Sequence, residues 1–252
     1  MSGHSKWHSI KHKKGKEDAK RGQLFSKLSH RITIAAREGG GNPDANAMLA
    51  NEIEAARKVS MPMDNIKRAI AKGTGELAGG HLEEMTFEGY GEGGVAVIVD
   101  VLTDNRNRTS ADVRRVFTRA NARLGETGSV AWIFEKKGVF LIKRTPEHDE
   151  EELLTIALDA GADDLRDEGD YWEIVCDIEE FGQVRDALKE AAIETESAEL
   201  TMVPKNTIAV GQDGARKLLR LIDALEDLDD VTEVYANFDI PDEVLEEEVN
   251  AE

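Results

Sequence analysis

The sequence predicts an α+β fold that begins with a small helical domain and continues as alternating strands and helices. Up to residue 73, apolar side chains recur every three or four residues, which is the period of an amphipathic helix. From residue 95 onward, short runs of β-branched residues alternate with helical patterns and are separated by turn-forming residues. Hydrophobic residues make up 40% of the 252 residues, which suffices for hydrophobic cores and is too little for a membrane protein.

Three helices are expected in the N-terminal domain. The first is expected over residues 17–38, where three successive glycines stop it. The second is expected to start at Asn42 as its N-cap, with Pro43 in the first turn, because proline fits the first turn of a helix. The third is expected over residues 62–73. The residues expected to face the common core are Leu24, Phe25, Leu28, Ile32, Ala35, Leu49, Ile53, Ala56, Ile66, Ala69 and Ile70.

The rest of the chain alternates between strand and helix patterns. A buried strand is expected at Val95–Val99, and a helix is expected to begin at Thr109, whose spacing to Asp112 fits a capping box. The further strands expected are 129–134, 138–143, two that flank the turn at 167–170, 196–203, 207–210 and 231–236, and the further helices are 151–160, 180–192 and 215–228.

The order of these elements predicts two related units. Residues 138–203 form strand-helix-strand-strand-helix-strand, which is a ferredoxin-like unit. Without them, the sequence has strand-helix-strand at 95–134 and again at 207–236, a second unit of the same type. We therefore expect two ferredoxin-like α+β domains, one inserted in the other. The expected domains are 1–80 (helical and basic), 81–136 with 204–240 (α+β), 137–203 (inserted α+β) and 241–252 (an acidic tail).

Charge is distributed unevenly along the chain. The formal net charge is −19 at pH 7, yet residues 1–37 carry ten Lys and Arg against two acidic residues, a net charge of +8. The remaining residues therefore sum to −27. This segregation predicts a basic arm on an acidic body. Because salt screens charges separated by more than about 10 Å, a distant acidic body does not cancel the attraction of the arm for phosphates.

The most basic stretch lies within residues 4–16, where lysines are interleaved with histidines and a tryptophan. Lysines neutralise phosphates, and tryptophan stacks on unpaired bases. The alternative interpretation is a solvated tail with Trp7 packed on its own domain. The nucleic-acid-binding residues expected here and at the start of the first helix are Lys6, Trp7, Lys11, His12, Lys13, Lys14, Lys16, Lys20 and Arg21.

A second group of arginines lies where a buried strand passes into a helix, at residues 104–109 and on the helix that follows. These arginines recur on one stripe of the helix, and the planar guanidinium suits phosphate. An ordinary solvated helix face explains the pattern equally well. The stripe consists of Arg108, Arg115, Arg119 and Arg123, and the contact residues expected here are Arg106, Arg108, Arg115 and Arg119.

Signals of an enzyme or a metal site are weak. Three glycines within residues 89–94 fit the spacing of a dinucleotide-binding turn, but a strand follows them where that motif needs a helix. The three histidines of residues 4–12 have no carboxylate or thiol ligand among them. Cys176 is the single cysteine and alternates with apolar residues on a strand, which favours a core position. We therefore expect no catalytic activity, no metal and no cofactor.

The sequence also bears on location. The N-terminus has no apolar stretch of secretory type, and the longest aliphatic run, Val95–Val99, is too short to cross a bilayer. A cytoplasmic protein with no membrane partner is the expectation.

Several short motifs, in a fixed order along the chain, resemble those of the YebC/PmpR family. They are GHSKW at 3–7, KHKK at 11–14, DAKR at 18–21, GGGNPD at 39–44, MPMDNIKRAI at 61–70 and DNRNRT at 104–109. The resemblance continues through EGYG at 88–91 to VY at 234–235 and so covers nearly the whole chain.

This resemblance implies one helical and two α+β domains and a role in gene expression. Members of the family are described as transcriptional regulators that bind DNA, and relatives include a mitochondrial translational activator and ribosome-associated factors that ease proline-rich stretches. On this sequence, the resemblance would place residues 6–21 and 106–108 against nucleic acid. Ala50 and Asn51 stand where members often carry an arginine, so the second helix is not expected to be a contact.

Three functions stay open at this point. The main expectation is a non-enzymatic regulator that binds DNA in transcription. The first alternative is a translation factor that binds ribosomal RNA and eases stalled synthesis, and the second is a ligand- or protein-binding α+β module. Expected partners are DNA or ribosomal RNA, with the ribosome or the transcription machinery. A Lys, His and Trp arm suits phosphates and unpaired bases better than a major groove, which favours RNA, whereas the family resemblance favours DNA.

Overall fold

A computed structural model describes residues 18–77, 82–145 and 149–240 of the chain. These residues form three N-terminal helices followed by two four-stranded antiparallel sheets, each covered by helices on one face. The α+β fold class with an N-terminal helical part is therefore confirmed. Within the described ranges, no helix combines the length and the apolar character needed to cross a membrane.

The helical unit comprises α1 (Asp18–Gly39), α2 (Ala47–Lys58) and α3 (Met63–Gly73). Both α2 and α3 pack against α1. Gly73 lies so close to the backbone of Thr33 that a Cβ atom would collide with it, which lets the end of α3 approach α1. The expected core residues are buried or packed around the core, which consists of Leu28, Ile32, Ala35, Ala36, Leu49, Ile53, Ala56, Met61, Ile66 and Ala69.

The second helix begins later than expected, so the prediction of Asn42 as its N-cap was wrong. Asn42 instead accepts a hydrogen bond from the backbone N–H of Asp44 (3.1 Å), which forms a side-chain turn. Pro43 lies in the same turn, and the helix starts at Ala47 with Asn46 as its N-cap.

Asn46 is the better cap because both polar atoms of its side chain form hydrogen bonds. Its Oδ1 accepts from the N–H of Leu49 (3.1 Å), as an N-cap does. Its Nδ2 donates to the carbonyls of Ala35 (2.8 Å) and Gly40 (2.9 Å) and so ties α2 to the end of α1.

The first four-stranded sheet, called the outer sheet below, has the strand order β3-β1-β2-β9. Each of its strands is antiparallel to the neighbouring strands. Helices α4 and α7 cover one face and bury a core built around Val97, Val99, Phe117 and Leu218. The elements of this unit are β1 (Glu83–Tyr90), β2 (Ala96–Thr103), α4 (Arg106–Arg119), β3 (Arg123–Leu124), α7 (Gln212–Glu226) and β9 (Val231–Ala236).

One strand of this sheet differs from the expectation. The sequence pattern missed β1, because three glutamates and a glycine are poor strand formers. The strand expected at 207–210 is the short β8 (Ile208–Ala209), which pairs in parallel with β10 (Phe238–Asp239) outside the four-stranded sheet. Within the four-stranded sheet, β2 lies between β1 and β9.

The inserted sheet has the order β5-β6-β4-β7, which is the ferredoxin-like order expected from the sequence. Its core includes Phe140 stacked on Phe181, with ring centroids 4.8 Å apart. Cys176 is buried in this core, and burial, together with nearby carboxylates, raises the pKa of its thiol to about 11. The elements are β4 (Phe134–Lys143), α5 (Glu150–Asp159), β5 (Ala162–Asp167), β6 (Tyr171–Cys176), α6 (Phe181–Glu190) and β7 (Ser197–Pro204). The exact domain boundaries stay predictions.

The strand expected at 129–134 is absent from the described structure, and that prediction was wrong. The segment forms a turn and a short 3₁₀ helix at Ala131–Ile133, after which β4 begins. The cause is the buried carboxylate of Glu88, which is 4% exposed and accepts the backbone N–H groups of Gly128, Val130 and Ala131 at 2.6–2.8 Å. These N–H groups are therefore not available to a neighbouring strand.

Arg31 of α1 joins the three units. Its guanidinium pairs with Glu52 of α2 (2.9 Å), Glu199 of β7 (3.3 Å) and Glu233 of β9 (3.2 Å). Burial alone would lower the pKa of Arg31, but the three carboxylates raise it well above its ordinary value. Burial raises the pKa of Glu52, and this effect is larger than the lowering caused by the attraction of Arg31. Lys58 adds a further link, since its Nζ donates to the carbonyl of Thr195 (3.2 Å) in the inserted unit.

Replacing Asn46→Ala is expected to lower the free energy of unfolding by about 2 kcal/mol, because a cap is lost and two carbonyls lose their donor. Urea unfolding followed by circular dichroism measures this change. Asn42→Ala is the matched control at the position first expected to be the cap, and should cost less than about 0.5 kcal/mol. Equal losses for the two variants would contradict the assignment of the cap.

Replacing Arg31→Met is expected to cost about 3 kcal/mol, because three carboxylates at the junction lose their common cation. The cost should shrink as the pH falls, because loss of Arg31 removes the attraction that opposes the burial-raised pKa of Glu52, so the folded variant takes up a proton more readily than the wild type. The control Arg37→Met removes an exposed pair with Glu84 and should cost less than about 1 kcal/mol. A pH-independent cost of under 1 kcal/mol for Arg31→Met would contradict the role of Arg31.

Candidate nucleic-acid interface

The residues expected to bind nucleic acid divide into two groups. The arm residues Lys6, Trp7, Lys11, His12, Lys13, Lys14 and Lys16 lie outside the described residues, as do the side chains of Lys20 and Arg21. The backbone of Lys20 and Arg21 forms the start of α1. Their role in binding stays a prediction.

The second group lies on α4, which begins earlier than expected. Its N-cap is Asn105, whose side chain accepts from the N–H of Arg108 (3.1 Å). Thr109 had been expected to cap the helix, and this was wrong because Thr109 is buried inside the first turn. Its hydroxyl donates to the carboxylate of Asp230 at 2.6 Å.

Asp230 holds the start of α4 against the outer sheet. Arg108 places one nitrogen within 2.8 Å and 3.0 Å of the two carboxylate oxygens, and Thr103 donates to the same carboxylate (3.2 Å). Burial would raise the pKa of Asp230, but hydrogen bonds from Thr109 and Arg108 outweigh it and lower the pKa. Arg108 is therefore exposed but already paired, also with Asp104 (3.0 Å).

The other arginines of this region differ in how far they are neutralised. Arg106 lies 3.4 Å from Glu83, and Arg115 pairs with Asp112 at 2.9 Å. Residues 106–123 hold six arginines and only one acidic residue, a net charge of +5. Within the part of the chain that the structure describes, three exposed arginines of this segment form no ion pair, namely Arg114, Arg119 and Arg123. The helix ends at Arg119, so the expectation that Arg123 belongs to the helical stripe was wrong, and this residue lies on the following strand.

Helix α3 presents a second cationic face, which the sequence interpretation missed. Lys67, Arg68 and Lys72 are exposed and have no ion pair to another described residue. The signal was present, because Ile66 and Ala69 face the core and so turn the intervening residues to solvent.

His30 of α1 is linked electrostatically to residues associated with both cationic helices. His30 of α1 is within electrostatic range of both Lys72 and Asp230, and Asp230 binds Arg108. Burial lowers the pKa of His30, the attraction of Asp230 opposes this, and Lys72 adds to it. His30 is therefore neutral at pH 7, and the local charge is set by Lys72, Arg108 and Asp230.

The inserted unit has the opposite character. Residues 134–204 contain 7 basic and 21 acidic residues, a net charge of −14. Several of its cations are neutralised, since Lys137 pairs with Asp163 (2.8 Å) and Asp177 (2.7 Å), and Arg144 pairs with Asp167 (2.6 Å). The net negative charge of this unit is unfavourable for phosphate, in contrast to the arginine-rich segment and α3.

Trp132 is a further surface residue that the sequence interpretation missed. On the expected strand it would have shared a face with Val130 and Phe134, both of which are buried. The 3₁₀ turn instead directs Trp132 outward, and its side chain is 67% exposed. Its indole N–H donates to the carbonyl of Ser129 (3.1 Å), which also accepts from the hydroxyl of Tyr90 (2.9 Å).

Gly89 and Cys176, two of the features considered as enzyme signals, have structural roles, whereas His4, His8 and His12 lie outside the described residues. Gly89 lies inside β1, where a Cβ atom would meet the ring of Phe117 and the backbone of Arg123. Among the described residues, no three His, Cys, Asp or Glu side chains are grouped so that they could hold a metal ion.

Two family models match the chain. Residues 5–76 match the TACO1/YebC protein N-terminal domain, and residues 82–238 match the TACO1/YebC second and third domain. Among related proteins, a "Probable transcriptional regulatory protein" of Dictyoglomus turgidum is 53% identical over 98% of this chain and 99% of its own length. A protein of the same name from Syntrophobacter fumaroxidans is 55% identical, over 98% and 99% of the two chains.

A solved structure shows the same fold. The crystal structure of a conserved hypothetical protein from Aquifex aeolicus superposes with a TM-score of 0.80 at 45% sequence identity, and covers 89% of this chain and 93% of its own. Because the two domain models together span nearly the whole chain, and relatives match over their full lengths, the chain belongs to the TACO1/YebC family.

Proposed function

We propose that this protein is a non-enzymatic regulator of gene expression that binds nucleic acid, with DNA in transcription as the first target to test. The observation that carries the proposal is a set of exposed cations without described ion-pair partners in a chain of net charge −19. With 51 acidic against 32 basic residues, pairing would be the ordinary state of a basic side chain. The name shared by the relatives, "Probable transcriptional regulatory protein", supports the same role.

The charge distribution suggests how binding would proceed. Residues 1–77 carry a net charge of +7, while the inserted unit and residues 241–252 carry −14 and −6. Phosphates would be drawn to the basic arm and to α3 and α4, and repelled by the remainder, which orients the molecule on the strand. Lysine and arginine contacts of this kind release counterions and supply affinity without reading sequence.

A second candidate function is a translation factor that binds ribosomal RNA. The exposed indole of Trp132 favours it, because aromatic rings stack on the unpaired bases that are frequent in RNA loops. Competition between duplex DNA and ribosomal RNA for the protein, together with sedimentation of a cell lysate, separates the two functions. Migration with ribosomal particles would favour the translation factor, and preference for duplex DNA would favour the transcriptional regulator.

Deletion of residues 2–16 removes five lysines and is expected to weaken binding to nucleic acid. Each phosphate contact adds about 0.7 to 0.9 to the slope of log K against log salt, so the slope should flatten by about 4. Fluorescence anisotropy with a labelled oligonucleotide at several salt concentrations measures this slope. An unchanged slope would remove the arm from the interface.

The double variant Lys67→Ala with Arg68→Ala tests the α3 surface. If both side chains touch phosphates, the slope should flatten by about 1.4 to 1.8. The matched control is Lys143→Ala with Lys189→Ala, which removes the same charge from exposed positions of the inserted acidic unit and should leave the slope unchanged. Equal effects of the two double variants would show that net charge, and not a surface on α3, determines binding.

A further inference from the structure

Trp132 is exposed yet held in one orientation. An exposed tryptophan leaves a large apolar surface in water, and surface aromatic residues of this kind mark contact sites. The indole N–H of Trp132 and the hydroxyl of Tyr90 donate to the same carbonyl, that of Ser129. The ring therefore stands on the surface with its polar atom satisfied and its faces available.

The turn that carries Trp132 is itself rigidly supported. The buried carboxylate of Glu88 accepts three backbone N–H groups from this turn, including that of Ala131, the residue before Trp132. Burial opposes the charge of Glu88, but the three N–H donors outweigh it and lower its pKa, so the carboxylate remains ionised at neutral pH. The same turn buries Val130 and Ile133 on its inner side, so Trp132 projects outward from a segment that is fixed on both counts.

Cations lie on both sides of the ring along the backbone. Arg123 is paired in register with Tyr90 across β1 and β3, and Tyr90 shares its hydrogen-bond acceptor with Trp132. On the other side, the backbone N–H of Lys205 donates to the carbonyl of Ile133 (2.8 Å), the residue after Trp132. Arg123 and Lys205 are exposed and have no ion pair to another residue in the described ranges. Glu126 is the acidic residue of the same turn.

From this arrangement we infer that Trp132 is a stacking platform for an unpaired base of a nucleic acid strand, with Arg123 and Lys205 contacting the flanking phosphates. The inference rests on the proposed function and adds to it a preference for single-stranded over fully paired segments. An aromatic ring with cations close by along the backbone is the combination that single-strand-binding surfaces use. A protein partner is the less favoured occupant, because lysine, here Lys205, is depleted in protein interfaces whereas it commonly contacts phosphates.

The affinity test compares Trp132→Ala with the wild-type protein on an unstructured single-stranded oligonucleotide and on a duplex of equal length. Loss of one stacked base should weaken single-strand binding about 5- to 100-fold and change duplex binding little. The salt slope should not change, because no charge is removed. Trp132→Phe, which keeps an aromatic ring, should retain most of the affinity. The variants should unfold like the wild type, because the side chain is exposed.

A spectroscopic test uses the three tryptophans of the chain. Trp172 is 2% exposed and stacks beneath Arg144, so a bound strand does not reach it. In Trp7→Phe, a stacked base should therefore quench the emission of Trp132, and the double variant Trp7→Phe with Trp132→Phe should show no quenching.

The outcomes separate this inference from the proposed function. Wild-type binding that Trp132→Ala leaves intact, with no quenching in Trp7→Phe, overturns the stacking platform and leaves the proposed function standing. An equal loss on single strand and duplex overturns it as well. Absence of binding to any nucleic acid by the wild-type protein overturns both. If Trp132→Ala lost binding to a protein partner but kept its affinity for nucleic acid, Trp132 would belong to a protein interface, which would contradict the inference.

Discussion

The helical unit is held against both α+β units through one cation, Arg31, which is shared by carboxylates from all three units. A largely buried charge of this kind adds little net stability when satisfied but is costly to leave alone, so it specifies a geometry. Each unit has its own hydrophobic core, and a fourth apolar cluster packs Phe134 and Met202 of the inserted unit against Ile98 and Tyr235 of the outer sheet. This cluster joins the two α+β units, and Arg31, with Lys58 and Arg37, ties the helical unit to both.

This junction determines which surfaces lie side by side. His30 of α1 lies within electrostatic range of Asp230, which anchors Arg108 at the start of α4. The helical unit, which carries the cations of α3, is thereby joined to the domain that carries the arginine-rich segment. Arg31 neutralises Glu199 of the inserted unit at the junction, and the remaining negative charge of that unit adds a repulsive field.

Much of the fold could be predicted from the sequence because hydrophobic period alone distinguishes helix from strand. The inserted unit follows its pattern closely in its helices and in the order of its strands, although β6 is buried on both faces. The incorrect predictions have local causes, which the spacing of hydrophobic residues does not reveal. Glu88 takes the N–H groups of the following turn and so prevents a strand, and Asn46 replaces Asn42 as a cap because it also bonds the end of α1.

The candidate interface was less predictable for a related reason. The sequence identifies which residues are cationic, but only the tertiary structure shows which of them form ion pairs. Arg108 and Arg115 are paired, whereas Lys67 and Arg68 have no ion pair to a described residue.

Ultraviolet crosslinking of the protein to a bound oligonucleotide, with mass spectrometry of the crosslinked peptides, tests the whole arrangement most directly. Crosslinks within residues 1–37, α3, and the segment from α4 to Trp132 are predicted, and crosslinks confined to residues 134–204 would contradict the account.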